Sequence, residues 1–412
     1  MVLTSCICVI SALLWDYVVR TGHRWLLLLV MALLAILSAF GLYHYEDLFP
    51  GLVASGWDGL YDRKAMAGLI WLLACLLAFP CLVVVAIARF FCRPRRRRRR
   101  RGTRRRTAPR RRQRRASGVT RRAFLKGLAA LVPAAALATS GAGNLLGERD
   151  LDTTYHVLKY KNLPDYLDGY KIGQLSDLHM GLFFSPRRLQ EALDAVAAQG
   201  VNRLEITGDF IDELALLPKA RAILEANAHR FPDGIDFCYG NHEYYRDFNA
   251  ITAMLEATPV RVLRNSSFQA SRGCGQGLKG RNGRDGRSFY IAAADYSFAK
   301  GDEAFAKERE QYVRETLAKV PEDAFVVLLA HHSAFIDEGF AHHIPLTLCG
   351  HTHGAQFAPI APLVSALGFK YLRGLFQKGD CKGYVNRGTG HWLPFRVLCS
   401  REASVFELRK QA

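Results

Sequence analysis

The sequence predicts an α/β domain of two packed sheets, preceded by helices that cross a membrane. Three observations lead there. Residues 25–43 and 65–88 carry no charged side chain, and each is long enough to span a hydrocarbon core of about 30 Å as a helix. From residue 153 onward, short apolar strands alternate with amphipathic helices. Five of those strands end in Asp, His or Asn beside glycine or a small residue, the pattern of a ligand crevice outside the carboxyl ends of strands.

The net charge of +19 over 412 residues is concentrated in one place. Between Arg89 and Lys126 there are 20 Lys or Arg and no Asp or Glu, which leaves the remainder close to neutral. The globular part therefore has no basic footprint for nucleic acid. The ten cysteines contain no CxxC pair, so neither a zinc–thiolate site nor a disulfide framework is expected.

Four segments follow. Residues 1–92 read as a membrane region with two spans, and residues 1–15 as a short third span or an interfacial helix. The loop 44–64 holds Glu46, Asp47, Asp58 and Asp62, while arginines follow residue 88, so the positive-inside rule puts the arginines in the cytoplasm. Residues 93–119 are too polar to bury a core and are expected to be a disordered cytoplasmic linker lying on anionic lipid head groups. In residues 120–145, Arg121-Arg122-Ala123-Phe124-Leu125-Lys126 precedes an alanine-rich apolar run, as in a bacterial twin-arginine signal. With spans before it, the segment is expected to act as an export signal or a further crossing. That puts residues 150–410 on the periplasmic side of a bacterial inner membrane.

Within that domain, strands are expected at 155–160, 170–175, 201–207, 235–239, 260–263, 288–293, 325–329, 345–348, 383–386, 395–398 and 404–408. Helices are expected at 186–198, 216–228, 247–256 and 302–319; Leu189, Leu193 and Val196 form the apolar stripe of the first. The glycine-rich stretch 271–287 lacks the order of a phosphate loop and is read as a flexible connection. Residues 357–376 are apolar with few charges, the composition of a packed lid or of a patch facing lipid or an acyl substrate.

The strand ends carry the chemistry. Ser176-Asp177-Leu178-His179, Gly208-Asp209, Gly240-Asn241-His242-Glu243, Ala330-His331-His332 and Gly350-His351-Thr352-His353 each follow a strand. Residues i and i+2 of an extended segment face one side, so Asp177 with His179, or His351 with His353, can meet at one point. Asp209 offers two carboxylate oxygens and can bridge, and Asn241 offers a neutral one. Oxygen and nitrogen donors without thiolates suit two divalent ions, Mn, Fe or Zn, in a hydrolytic site. Two such ions about 3.5–4 Å apart activate water and clamp the oxygens of an in-line displacement at phosphorus.

The order D-x-H, G-D, G-N-H-E, H and G-H-T-H resembles that of the calcineurin-like metallophosphoesterases, from residue 155 to about 408. "LSDLHMG" at 175–181, "GHTHGAQ" at 350–356 and "YVNRGTG" at 384–390 are similar to the membrane-anchored branch. That branch includes twin-arginine-exported and transmembrane phosphoesterases and relatives of UDP-2,3-diacylglucosamine hydrolase. The resemblance implies a four-layer α/β/β/α sandwich. It implies one ion held by Asp177, His179, Asp209 and His353, and a second held by Asp209, Asn241, His331 and His351. His242 and Asp209 are the implied catalytic residues, His242 acting at the leaving-group oxygen and Glu243 orienting it. Ala355 stands where this branch usually has glycine, and His332, His342, His343 and His391 are expected to be structural or on the surface. The expected partners are membrane lipid and a phosphoester substrate, lipid-linked or soluble, with no nucleic acid at the catalytic domain. The alternatives are a pyrophosphatase of UDP-2,3-diacylglucosamine facing the cytoplasm, in lipid A synthesis, and a non-catalytic membrane protein whose arginine tract binds lipid or nucleic acid.

Overall fold

The computed structural model describes residues 151–411 apart from 182, 271–286, 367 and 392–394, together with residues 74–75, 77–79, 81, 83–84, 87, 131–132 and 135–143. These fall into two units, divided after residue 141. The predicted span 25–43, the segment 1–15 and the arginine tract lie outside the described residues, as does most of 65–88. The described members of 65–88 are helical, and Ala74, Ala78 and Ala136 bury against one another in the first unit. Among the described residues no helix is long and apolar enough to cross a membrane.

The second unit contains two six-stranded mixed sheets. The first has the order β1 (Leu151–Tyr160), β12 (Arg401–Lys410), β2 (Tyr170–Leu175), β3 (Arg203–Thr207), β4 (Ile235–Cys238), β5 (Val260–Leu263). Strands β2 to β5 are parallel, and β12 runs antiparallel to β2. The second has the order β10 (Gly374–Lys378), β11 (Cys381–Val385), β9 (Leu346–Cys349), β8 (Phe325–Leu329), β7 (Phe289–Ala293), β6 (Ser266–Ala270). Here β11, β9, β8 and β7 are parallel, and the edge strands β10 and β6 are antiparallel to their neighbours.

Strand periodicity builds the layers. Side chains alternate across a strand, so Phe325, Val327 and Leu329 of β8 enter one core while Val326 and Leu328 enter another. The first core lies between the sheets, where Tyr170, Ile172, Phe406 and Leu408 of the first sheet meet Phe289, Ile291, Leu346 and Leu348 of the second. On the outer face of the first sheet pack α1 (Pro186–Ala197), α2 (Leu217–Asn227) and, after the short α3 (Asn241–Tyr245), α4 (Phe248–Glu256). The outer face of the second sheet is covered by α5 (Asp302–Leu317) and α6 (Ile336–Ala341). The result is the expected α/β/β/α sandwich. Fully burying one Leu or Phe contributes about 1.5–3 kcal/mol, so three apolar layers hold the sheets in fixed register and keep their ends aligned.

Three parts differ from the sequence expectation. Residues 395–398 do not form a strand. Val397 makes only an isolated bridge to Phe357, and Leu398 turns to φ 53° and is 83% exposed, a conformation that ends extended chain. Strands β6 and β10 are edge strands rich in polar or exposed residues and give no alternating apolar signal. The turns α3, α6 and α7 (Ala361–Ala366) are five or six residues long, too short for a helical period to show.

Candidate metal centre

Parallel strands of both sheets end on one edge, and the loops after β2, β3, β4, β8 and β9 gather there. Backbone hydrogen bonds lock these loops to each other. Asp177 N–H donates to Gly208 O (3.1 Å), His179 N–H to Asp209 O (2.9 Å) and Gly350 N–H to His331 O (2.9 Å). The chain turns so sharply that Asp177, His179, Asp209, His351 and His353 all have φ between 48° and 72°. For side chains other than glycine this left-handed region costs about 1 kcal/mol or more per residue, and such strain gathers at functional sites. Gly350 passes so close to Ser176 Oγ and Asp177 Oδ2 that an added Cβ would overlap both. Gly208, at φ 79°, has Gly240 N where its Cβ would be.

Asp209 is the hinge of the arrangement. Its Oδ1 accepts the His242 backbone N–H at 2.9 Å, which fixes the carboxylate plane. Its Oδ2 then lies 3.6 Å from His179 Nε2 and 3.1 Å from His331 Nε2. On one side, His179 Nε2 approaches His353 Nε2 at 3.1 Å, and His353 Nε2 is 3.4 Å from Asp177 Oδ1. On the other, His351 Nδ1 is 3.2 Å from His331 Nε2. Potential ligand atoms therefore cluster as Asp177, His179 and His353; as His179, Asp209 and His242; and as Asp209, His331 and His351. The structure thus brings all the carboxylates and imidazoles named from the sequence to one place, with His353 and His351 in separate groups.

The surrounding contacts orient these ligands. His331 Nδ1–H donates to Thr207 O at 2.7 Å, turning Nε2 toward the carboxylates. Asp177 is held by Ser176 Oγ–H (2.6 Å) and by the His351 N–H (3.0 Å). The Glu243 carboxylate, fully buried, accepts the backbone N–H groups of Asp209 (3.0 Å), Phe210 (2.7 Å) and Gly240 (2.7 Å). Glu243 therefore pins the Asp209 loop, and the expectation that it orients His242 is corrected. That task falls to Asp212, whose Oδ1 is 2.6 Å from His242 Nδ1 and whose Oδ2 is 3.2 Å from His179 Nδ1. Asp212 was missed in the sequence although it stands three residues after Asp209, in Gly-Asp-Phe-Ile-Asp. Arg396 was missed as well. Its buried guanidinium donates to the carbonyls of Arg387, Gly388 and Gly390 and braces the loop beside Asp177.

The remaining histidines have other partners. His332 Nδ1 accepts the Ala334 N–H, His342 pairs with Glu310 and His391 Nε2–H donates to Phe183 O. His343 takes φ 55° at the turn before β9. Ala355 adopts φ 64°, so the β-carbon that stands in place of the usual glycine sits in a strained turn.

Electrostatics show what these donors suit. Among the described residues no Lys or Arg is within ion-pair distance of Asp177 or Asp209. Burial opposes charge on His331, but the Asp209 and Asp177 carboxylates overcome it and push the imidazole up to about 10. His179 is raised in the same way: burial opposes, and Asp212 and Asp209 prevail. Burial also opposes ionisation of Asp209, yet His331 and His179 hold it well below the usual carboxylate range. His351 and His353 are pushed well below the ordinary imidazole value, by burial first and then by His331 and His179 respectively, so their lone pairs are free. Asn241 Oδ1 is buried without a hydrogen-bond partner. Buried carboxylates that draw protons onto imidazoles, neutral imidazoles and an orphaned amide oxygen are donors in search of cations. The residues present fit two divalent ions.

Known proteins agree. Residues 170–355 match the model of the calcineurin-like phosphoesterase family. The chain is 29% identical over 306 residues to the uncharacterized metallophosphoesterase YkuE of Bacillus subtilis, covering 71% of this chain and 98% of that one. It is 30% identical to an uncharacterized metallophosphoesterase of Helicobacter pylori J99, covering 61% of this chain and 64% of that one. A Danio rerio relative, described as a transmembrane protein with metallophosphoesterase domain, is 26% identical across 81% of this chain and 74% of its own. Over residues 170–355 the chain is similar to the calcineurin-like phosphoesterases, and its fold and clustered donors fit a phosphoester hydrolase that uses two divalent metals.

Proposed function

We propose that the protein is a membrane-tethered phosphoesterase or phosphodiesterase that hydrolyses a lipid-linked phosphoester outside the cytoplasm of a bacterium. The observation that carries the hydrolytic part is the position of Asp209 Oδ2 between two ligand groups, 3.6 Å from His179 and 3.1 Å from His331. Asp177, His179, Asp209 and His353 would hold one ion, and Asp209, Asn241, His331 and His351 the other. Bound there, the ions supply Lewis-acid polarisation of a phosphoryl oxygen and lower the pKa of water. The chain's own residues do the rest. Asp209 fixes the spacing between the two groups. His242, its Nδ1–H on Asp212, presents Nε2 to the leaving-group oxygen and delivers a proton to it, a step typically worth about 10²–10⁴-fold. Glu243 and Arg396 keep the loops from relaxing.

Tethering is supported by the uncharged runs 25–43 and 65–88 beside the arginine-rich stretch, and by the description of the Danio rerio relative. A lipid-linked substrate is supported by residues 354–369, which carry no charged side chain. Ile360 (41%) and Leu363 (58%) are exposed there, and α7 buries none of its residues. Phe369 lies 6.2 Å, centroid to centroid, from His351.

The enzymatic reading is tested by stripping the purified protein with a chelator and restoring Mn, Fe or Zn singly against soluble and lipid-linked phosphodiesters. Hydrolysis that vanishes on stripping and returns with metal, fastest on the lipid-linked esters, is expected. Hydrolysis indifferent to chelation would refute it, and equal rates on both classes would remove the lipid. The location is tested by reporter fusions after Asn144. Activity of a periplasm-dependent reporter is expected, and activity only of a cytoplasmic one would reverse the orientation.

A further inference from the structure

Beside His242 runs a row of aromatic rings that the hydrolytic reading does not use. Helix α3 puts Tyr245 three residues past His242, one turn along the same face, and their ring centroids are 5.6 Å apart. Tyr245 lies 5.9 Å from Phe298, Phe298 4.8 Å from Tyr296, and Tyr296 5.6 Å from His351. The row thus connects the residue facing the leaving group to a residue of the metal centre. Its outer members are open to solvent, Tyr245 at 61% and Phe298 at 47% exposure.

The row is braced from behind. The Tyr244 ring meets Phe298 edge-on at 5.4 Å, and the Tyr244 hydroxyl donates to Asp295, which is only 4% exposed. The same carboxylate accepts Arg264 Nε–H at 2.6 Å, and Asn265 Oδ1 accepts the Asp295 N–H at 2.8 Å. Phe298 is therefore backed from behind, and Tyr245 stands between it and His242. A polar network centred on the buried Asp295 carboxylate, spanning the β5–β6 turn, α3 and the loop after β7, backs the Phe298 ring through Tyr244. Scattered exposed aromatics need no explanation, but a contiguous row between two site histidines, rigidly supported and left open, does.

We propose that Tyr245, Phe298 and Tyr296 form a stacking ledge selecting phosphoesters whose leaving group is a flat aromatic or heteroaromatic ring, a specificity that rests on the phosphoesterase reading above. The row contains no Leu, Ile, Val or Met, the side chains that suit an acyl chain. Ring faces and edges gain from offset or edge-to-face contact with another ring beyond the area they bury. Any lipid substituent is left to residues 354–369, which belong to a different loop.

The test compares benzyl phosphate with cyclohexylmethyl phosphate, esters of similar size whose leaving groups are both primary alkoxides, on the metal-loaded full-length protein. The wild type is expected to favour the benzyl ester by about tenfold in kcat/KM, the size of one stacking contact, with the difference in KM. Phe298→Leu and Tyr245→Leu keep apolar bulk but lose the ring, and each is expected to bring the ratio close to one. Calorimetric binding of benzylphosphonate over cyclohexylmethylphosphonate should follow the same order. A wild-type ratio near one, a preference for the saturated ring, or variants that lose both esters equally would overturn the ledge. Selective benzylphosphonate binding without hydrolysis of either ester would instead overturn the phosphoesterase reading and leave the ledge standing.

Discussion

Asp209→Asn is expected to lower metal-dependent phosphoester hydrolysis by more than about a thousandfold, equivalent to about 4 kcal/mol of transition-state stabilisation. An amide has one oxygen where the carboxylate has two. Asp209 uses one oxygen for the His242 backbone N–H and places the other between His179 and His331. If the amide oxygen keeps the first role, an NH2 group faces the metal groups. If it takes the second, an NH2 group opposes the His242 N–H and the carboxylate plane is lost. The substitution also removes the negative charge that both groups share. Metal content by atomic emission should fall with activity, and the metal-free protein should melt below the wild type, because His331 and His179 lose the buried carboxylate that faces them. Full activity in this variant would refute the centre.

Asp212→Asn is expected to cost about 10–100-fold, the usual effect of removing a group that orients metal ligands. One carboxylate serves two imidazoles, His242 Nδ1 at 2.6 Å and His179 Nδ1 at 3.2 Å. An amide can accept from only one and confronts the other with an N–H. The two consequences separate experimentally: disturbing His242 lowers kcat, and disturbing His179 weakens metal affinity. A double-mutant cycle with His242→Ala tells them apart. If Asp212 acted only through His242, the double variant would be no worse than His242→Ala. A further loss, appearing in the metal titration, is expected. An Asp212→Asn variant indistinguishable from wild type in both readouts would show that the two contacts do not matter.

Much of this was legible because strand ends carry their signature in short words. Asp177-x-His179 and His351-x-His353 are two residues apart, and each follows a run whose alternation marks it as a strand. What was illegible depends on contacts without a fixed spacing. Glu243 follows His242 directly, and nothing in that adjacency shows that its carboxylate turns back to the Asp209 and Phe210 amides. Arg396 sits in an apolar stretch that suggests a strand, and only the folded chain reveals the carbonyls it gathers. The row from Tyr245 to Tyr296 is assembled from a one-turn helix and a loop about 50 residues apart, and no local pattern foretells it. The edge strands β6 and β10 lack an alternating apolar face because neither buries a full face: only Ala270 of β6 is buried, and no residue of β10 is.

The division of ligands between the sheets has a consequence for cohesion. Asp177 and His179 come from the first sheet and share a group with His353 of the second, while Asp209 of the first joins His331 and His351 of the second. With ions bound, each is a rivet through the seam, and the sandwich cannot open along that edge without surrendering both. An ion present at a hundred times its dissociation constant adds about 2.7 kcal/mol to the folded state. Its removal therefore silences the chemistry and unfastens the same edge, so the metal-free protein should open first at the strand ends where it would otherwise act.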